Sequence, residues 1–124
     1  MRTELGKVRG LGAAKSGTAR WWMERVTSIA LIPLSIWLLA SLVSGVAASH
    51  AVLTEWVSNP LVAVLLVLFV AVTFYHAALG MKVVVEDYVH EHGNKIASLL
   101  LVDFLAIVGG LAGIVAVLKI AFGA

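Results

Sequence analysis

The chain has 124 residues, 61% of them hydrophobic and 13% charged, with a mean hydropathy of +1.03. A soluble domain carries roughly 45–50% apolar and about 25% charged residues, and a chain this short leaves roughly a third of its surface exposed, so its solvent has to be lipid. A formal net charge of +2 and the absence of cysteine exclude a nucleic-acid binder, a disulfide scaffold and any iron–sulfur or thiolate metal site carried by this chain alone.

The expected fold is an all-α integral membrane protein with three transmembrane helices in a single membrane domain over residues 1–124. Residues 1–20 form a basic arm, and Arg2, Lys7, Arg9, Lys15, Arg20 and Arg25 supply six of the nine Lys and Arg residues. The glycines and lysines of residues 5–17 suit an irregular segment. The first span is expected over roughly 22–47, since no charge occurs from Val26 to Ser49. Ala47-Ala48-Ser49 is rich in small residues, but the preceding apolar stretch is too long for a cleaved signal peptide, so the span is read as retained. Pro33 is placed to kink it, and Thr27 and Ser28 are expected to bond their own helix backbone or line a cavity.

After a connector with no Lys or Arg, the second span is expected over 61–88 and the third over 96–122. Each run meets the ~20 residues needed to cross ~30 Å of hydrocarbon. Apolar character all round, with every backbone group satisfied internally, means α-helix. The basic arm and the connector holding Lys82 and Lys95 place the N-terminus in the cytoplasm and the C-terminus in the periplasm. Trp21, Trp22 and Trp56 fit interfacial belts. In the third span, Gly109 and Gly113 form a small-xxx-small pair for close helix contact, and Asp103 is expected to bond a neighbouring helix.

His76 is the ionisable group buried deepest in the second span, and such a group is a functional-site candidate. Its imidazole can bind a haem iron, relay a proton or bond a neighbouring helix. Gly80, one turn later, removes bulk where a flat macrocycle would approach, and Arg25 is placed to pair with haem propionates. Glu24 beside Arg25 reads as a local ion pair. His50, His90 and His92 lie elsewhere, so a bis-histidine haem needs its second ligand from another polypeptide. Glu86-Asp87-Tyr88 forms a second group. On spacing alone it reads first as a hydrated loop with an interfacial tyrosine. Were the second span to continue through it, Asp87 would return within ~20° of the His76 face, ~16 Å further along. Tyr88 could then donate to a quinone carbonyl.

Arg9-Gly10-Leu11-Gly12, Gly17-Thr18, Trp21-Trp22, Arg25-Val26-Thr27-Ser28-Ile29-Ala30-Leu31 and Pro33, followed by His76-x-x-Leu79-Gly80 and Val84-Val85-Glu86-Asp87-Tyr88-Val89-His90, resemble the hydrophobic membrane anchor subunits of bacterial succinate dehydrogenase. The resemblance covers nearly the whole chain, although the third span adds little beyond hydrophobicity. It implies a multi-pass membrane anchor in the bacterial cytoplasmic (inner) membrane that pairs with a second cytochrome b-type anchor subunit. It further implies one haem b between the two anchors, docked iron–sulfur and flavoprotein subunits, and ubiquinone as the substrate reduced. By resemblance His76 is the haem axial ligand, Tyr88 the quinone donor and Asp87 its support. Arg25 lies near the propionates and the quinone, and Gly80 packs the haem. Glu24, Ser28 and Lys82 depart from the Gln, Ala and Gln common in the family. The alternative reading is a small oligomeric proton or cation carrier relaying through His76, Asp87 and Asp103.

Overall fold

The computed structural model describes residues 14–123, with side chains from Thr18 onward. It contains four helices: α1 (Ala14–Val43), α2 (His50–Ser58), α3 (Pro60–Tyr88) and α4 (His92–Ala121). Three of them are long and apolar enough to cross a membrane: Thr18–Val43 within α1, α3 and α4. Most of the basic arm, with Arg2, Lys7 and the Arg9–Gly12 run, lies outside the described residues. The remainder is helical, because α1 starts at Ala14 and not at residue 22. Once the span has nucleated a helix, adding Ala, Lys and Arg to its end is inexpensive, and Gly17 costs only about 1 kcal/mol.

The far end of α1 stops at Val43, four residues short of expectation, and the cause is local. Gly45 takes a positive φ of 100°, which a residue with a Cβ resists. The Val46 N–H reaches the Ser41 carbonyl and the Gly45 N–H reaches the Leu42 carbonyl, the pair of bonds that closes a Schellman cap. Pro33 sits within α1, where it removes one internal hydrogen bond.

The connector between the first and second spans contains α2. The Ser49 hydroxyl accepts from the Val52 N–H at 3.2 Å and starts the helix. Val57 is then 2% exposed, and Trp56 stacks on Trp37 of α1 with ring centroids 5.6 Å apart. Asn59 ends α2 and caps α3, its side chain accepting from the Leu61 N–H at 3.0 Å, with Pro60 in the first turn. At the opposite, basic end only residues 89–91 separate α3 from α4, so the third span begins at His92 and not at Ile96.

Helix α3 is central. It packs most extensively on α4 and to a lesser extent on α1, while α1 and α4 do not approach each other among the described residues. The apolar residues buried within the chain are Leu34, Val57, Val62, Leu79 and Val85. Nearly all the remaining apolar surface faces outward, as expected where lipid or a partner subunit is the solvent.

The α3–α4 seam depends on the two glycines. A Cβ at Gly109 would stand 2.6 Å from Phe74 Cε1, and one at Gly113 would stand 2.8 Å from Val70 Cγ1. Phe74 can swing its ring aside, whereas Val70 is branched at Cβ and stiff. Gly113→Val is therefore expected to overpack the seam by ~1–3 kcal/mol. A lowered thermal midpoint of the purified protein in detergent would show it; an unchanged midpoint would mean the seam yields.

Two ion pairs tie the basic end together. Arg20 of α1 meets Glu86 of α3 at 2.7 Å, and Lys82 of α3 meets Asp103 of α4 at 2.6 Å. Asp103 thus bonds a neighbouring helix as expected. All four side chains are partly exposed, so the pairs orient the helix ends more than they stabilise them.

Candidate functional site

The site begins with two hydroxyl residues on α1. Ser28 donates to the Glu24 carbonyl at 2.7 Å, which satisfies it within its own helix. Thr27, 5% exposed, has its hydroxyl oxygen 2.7 Å from the Met23 carbonyl, 3.1 Å from the Glu24 carbonyl and 2.8 Å from His76 Nδ1. The last contact crosses from α1 to α3. His76 therefore makes an interhelical bond, and it does so with one ring nitrogen only. An imidazole has two, and Nε2 remains for other chemistry.

His76 lines a pocket of about 320 Å³ with Glu24, Arg25, Ser28, Gly80 and Val83. The walls come from one turn of α1 and two turns of α3, so the pocket depends on these two helices meeting at the level of the Thr27–His76 contact. Beyond its own helix backbone, Gly80 has no atom within 4 Å of the position a Cβ would occupy. In the seam with α4 the glycines make room for neighbouring side chains of this chain; at Gly80 they make room for nothing within it. The Arg25 guanidinium lies over the Trp21 ring, 5.5 Å from its centroid. A cation–π contact of this kind steadies the side chain while its N–H groups stay available to an anion.

Glu24 and Arg25 form no ion pair with each other, contrary to expectation. Consecutive helical residues point ~100° apart and do not face one another. Both instead line the pocket.

The structure gathers His76, Arg25 and Gly80 but does not bring Asp87 and Tyr88 to them. Glu86, Asp87 and Tyr88 form the last turn of α3, not a loop. Tyr88 is 78% exposed and lies ~18 Å along the helix from His76 at ~1.5 Å per residue. Asp103 lines a different cavity, of about 430 Å³ between α3 and α4, with Lys82, Phe74 and Tyr75. The His76, Asp87 and Asp103 of the relay reading are thus three separate places.

Among the described residues, no three His, Cys, Asp or Glu side chains are grouped to hold a metal ion. His50 starts α2 at the opposite end, His90 is in the 89–91 connector and His92 starts α4. Among the described residues, His76 is the one histidine that lines this pocket. Two contacts were not anticipated, Thr27 with His76 and Arg20 with Glu86. The available signal was polar residues at matching depths in two apolar spans.

Comparison with known proteins places the chain among similar sequences. The family described as succinate dehydrogenase/fumarate reductase transmembrane subunit matches residues 1–110. A succinate dehydrogenase hydrophobic membrane anchor subunit from Rickettsia conorii is 34% identical over 116 residues, covering 93% of this chain and 92% of its own. That of Rickettsia felis is 36% identical, covering 84% of this chain and 87% of its own. A succinate dehydrogenase membrane anchor subunit from Reclinomonas americana is 31% identical, covering 75% and 80% respectively. No solved structure matches the chain at a comparable level.

Proposed function

The chain belongs to the succinate dehydrogenase/fumarate reductase transmembrane subunit family, and on that premise we propose that it holds haem b against a second anchor subunit and helps form a ubiquinone-reduction site. It is a multi-pass membrane anchor of succinate dehydrogenase. It contributes no succinate chemistry itself. Its partners in this reading are the second cytochrome b-type anchor, the iron–sulfur subunit and the flavoprotein subunit. The basic end, with Arg20, Arg25, Lys82 and Lys95, faces the cytoplasm by the distribution of positive charge.

One observation carries the haem reading: His76, Arg25 and an unfilled Gly80 share one pocket that opens outward. An imidazole can ligate iron, a guanidinium can pair with a propionate, and a missing side chain admits a flat ring. The pocket is one half of a clamp, with a second histidine supplied from the partner anchor. When bound, haem supplies a one-electron redox centre. His76 orients it, Arg25 offsets its carboxylate charge, and the apolar faces of α1 and α3 exclude water.

Quinone reduction takes up two electrons and two protons per molecule. Electrons arrive from the iron–sulfur subunit. The Tyr88 phenol donates a hydrogen bond to a quinone carbonyl, and Asp87 beside it holds polar partners in place. Both stand at the cytoplasmic end of α3, so protons are taken from that side and no net charge crosses the membrane.

The test is a reduced-minus-oxidised spectrum of membranes containing this chain with its partner anchor, wild type beside His76→Ala. A b-type α band in the wild type, lost or shifted in the variant, is expected. A wild type without the band, both chains being inserted and paired, overturns the haem assignment.

A further inference from the structure

The contact between Thr27 and His76 has a direction that proton counting fixes. The Thr27 hydroxyl carries one proton and its oxygen has three close neighbours, at 2.7 Å from the Met23 carbonyl, 3.1 Å from the Glu24 carbonyl and 2.8 Å from His76 Nδ1. Both carbonyls are acceptors only. Were the hydroxyl to donate to Nδ1, two lone-pair oxygens would face each other at 2.7 Å with no proton between them. If it donates to the Met23 carbonyl, the shortest contact is satisfied, the Glu24 carbonyl at 3.1 Å is at most a weaker shared acceptor, and the contact with His76 is satisfied provided that Nδ1 carries a hydrogen and donates to Thr27. Thr27 is 5% exposed, so these contacts are largely screened from bulk solvent.

We propose that Thr27 is a positioning residue that holds the His76 imidazole as its Nδ1–H tautomer and leaves Nε2 as the one nitrogen free to bind iron. The proposal rests on the haem reading above and says how this chain prepares its ligand. A hydrogen bond from the distal ring nitrogen fixes the tautomer and the ring plane, and it raises the basicity of the ligating nitrogen. A more basic ligand favours the ferric state. Thr27 thereby lowers the midpoint potential of the centre that His76 holds. The back-bond to Met23 is part of the arrangement, since it turns the oxygen lone pair toward α3.

The experiment compares wild type, Thr27→Ser and Thr27→Val in the assembled membrane complex. Reduced-minus-oxidised spectra give haem content, redox titration of the α band gives the midpoint, and low-temperature spin resonance of the ferric state reports the axial ligand field. Valine keeps the shape and removes the hydroxyl, whereas serine keeps the hydroxyl and loses the methyl. The expected result is a wild-type midpoint and ferric spectrum in Thr27→Ser, with a raised midpoint and altered ferric spectrum in Thr27→Val. Loss of haem from assembled Thr27→Val but not from Thr27→Ser supports the proposal equally. Identical midpoints and ferric spectra in all three overturn it and leave the haem reading standing. Loss of haem from Thr27→Ser as well as Thr27→Val also overturns it, because the methyl contact would then be what matters. If the wild type shows no α band, the haem reading falls. The nitrogen spectrum of 15N-histidine-labelled complex then decides the remaining question. A protonated Nδ1 at His76 in wild type and Thr27→Ser, lost in Thr27→Val, upholds the tautomer lock. A protonated Nε2 in the wild type overturns it.

Discussion

Gly80→Leu is expected to strip the b-type α band from membranes in which the chain remains inserted and paired. The first added carbon meets nothing of the neighbouring elements, because a Cβ at this position has no atom within 4 Å outside its own helix backbone. Leucine also improves helix propensity by about 1 kcal/mol over glycine. The substitution is therefore neutral or favourable for the isolated helix. Its cost falls on whatever occupies the space. His76 lies four residues earlier on α3 and shares the pocket, so a leucine at 80 projects beside the imidazole. Overpacking a fitted site costs ~1–3 kcal/mol, which corresponds to a fall in affinity of about fivefold to 150-fold. Haem content per assembled complex is the measurement, with Gly80→Ala as an intermediate step. Wild-type haem content in Gly80→Leu would mean that the gap at Gly80 is not where a haem packs.

The same glycine shows how far sequence reasoning reached. Three runs of apolar residues specify three spans, because in lipid the backbone has no alternative to the helix. Where helices end is a separate matter, decided by capping and not by hydropathy. Gly45 carries the stop of α1 and Ser49 the start of α2, and both signals are legible as Ser-Gly and Ser-x-x-Val once caps are sought. Hydropathy, averaged over a span, passes over them. In the site, the identities of His76, Arg25 and Gly80 are legible because a polar or missing side chain inside a span is costly. Their gathering is not. It depends on which face of α1 meets which face of α3, and one helix's periodicity carries no information about another's register. The Thr27–His76 bond and the Arg20–Glu86 pair set that register. Lys82 illustrates the same point. As a departure from the family's usual glutamine it looks arbitrary on its own, yet Asp103 on the neighbouring helix lies 2.6 Å away.

Tyr88→Phe is expected to lower quinone-dependent turnover by about tenfold to hundredfold while leaving haem content and succinate oxidation with a water-soluble acceptor unchanged. The substitution removes one phenolic oxygen and little else, since Tyr88 is 78% exposed and at the last position of α3. Little packing among the described residues depends on it. On the proposed reading, what is lost is one hydrogen bond to a quinone oxygen that gains negative charge as electrons arrive. A bond to a charged group contributes ~1.5–3 kcal/mol, and each ~1.4 kcal/mol of barrier is a factor of ten in rate. Asp87→Asn provides the comparison, retaining the shape and removing the charge. If Asp87 supports the site by orienting its polar groups, its neutral isostere should cost less than loss of the phenol. Three measurements separate the explanations: the succinate-to-quinone rate, the succinate-to-dye rate and the α band. A fall in the first alone places Tyr88 at the quinone. A fall in all three makes it a docking residue for the subunits that deliver electrons. No change in any leaves Tyr88 as an interfacial aromatic of the kind that anchors membrane helices, and the quinone site would then have to be sought away from the end of α3.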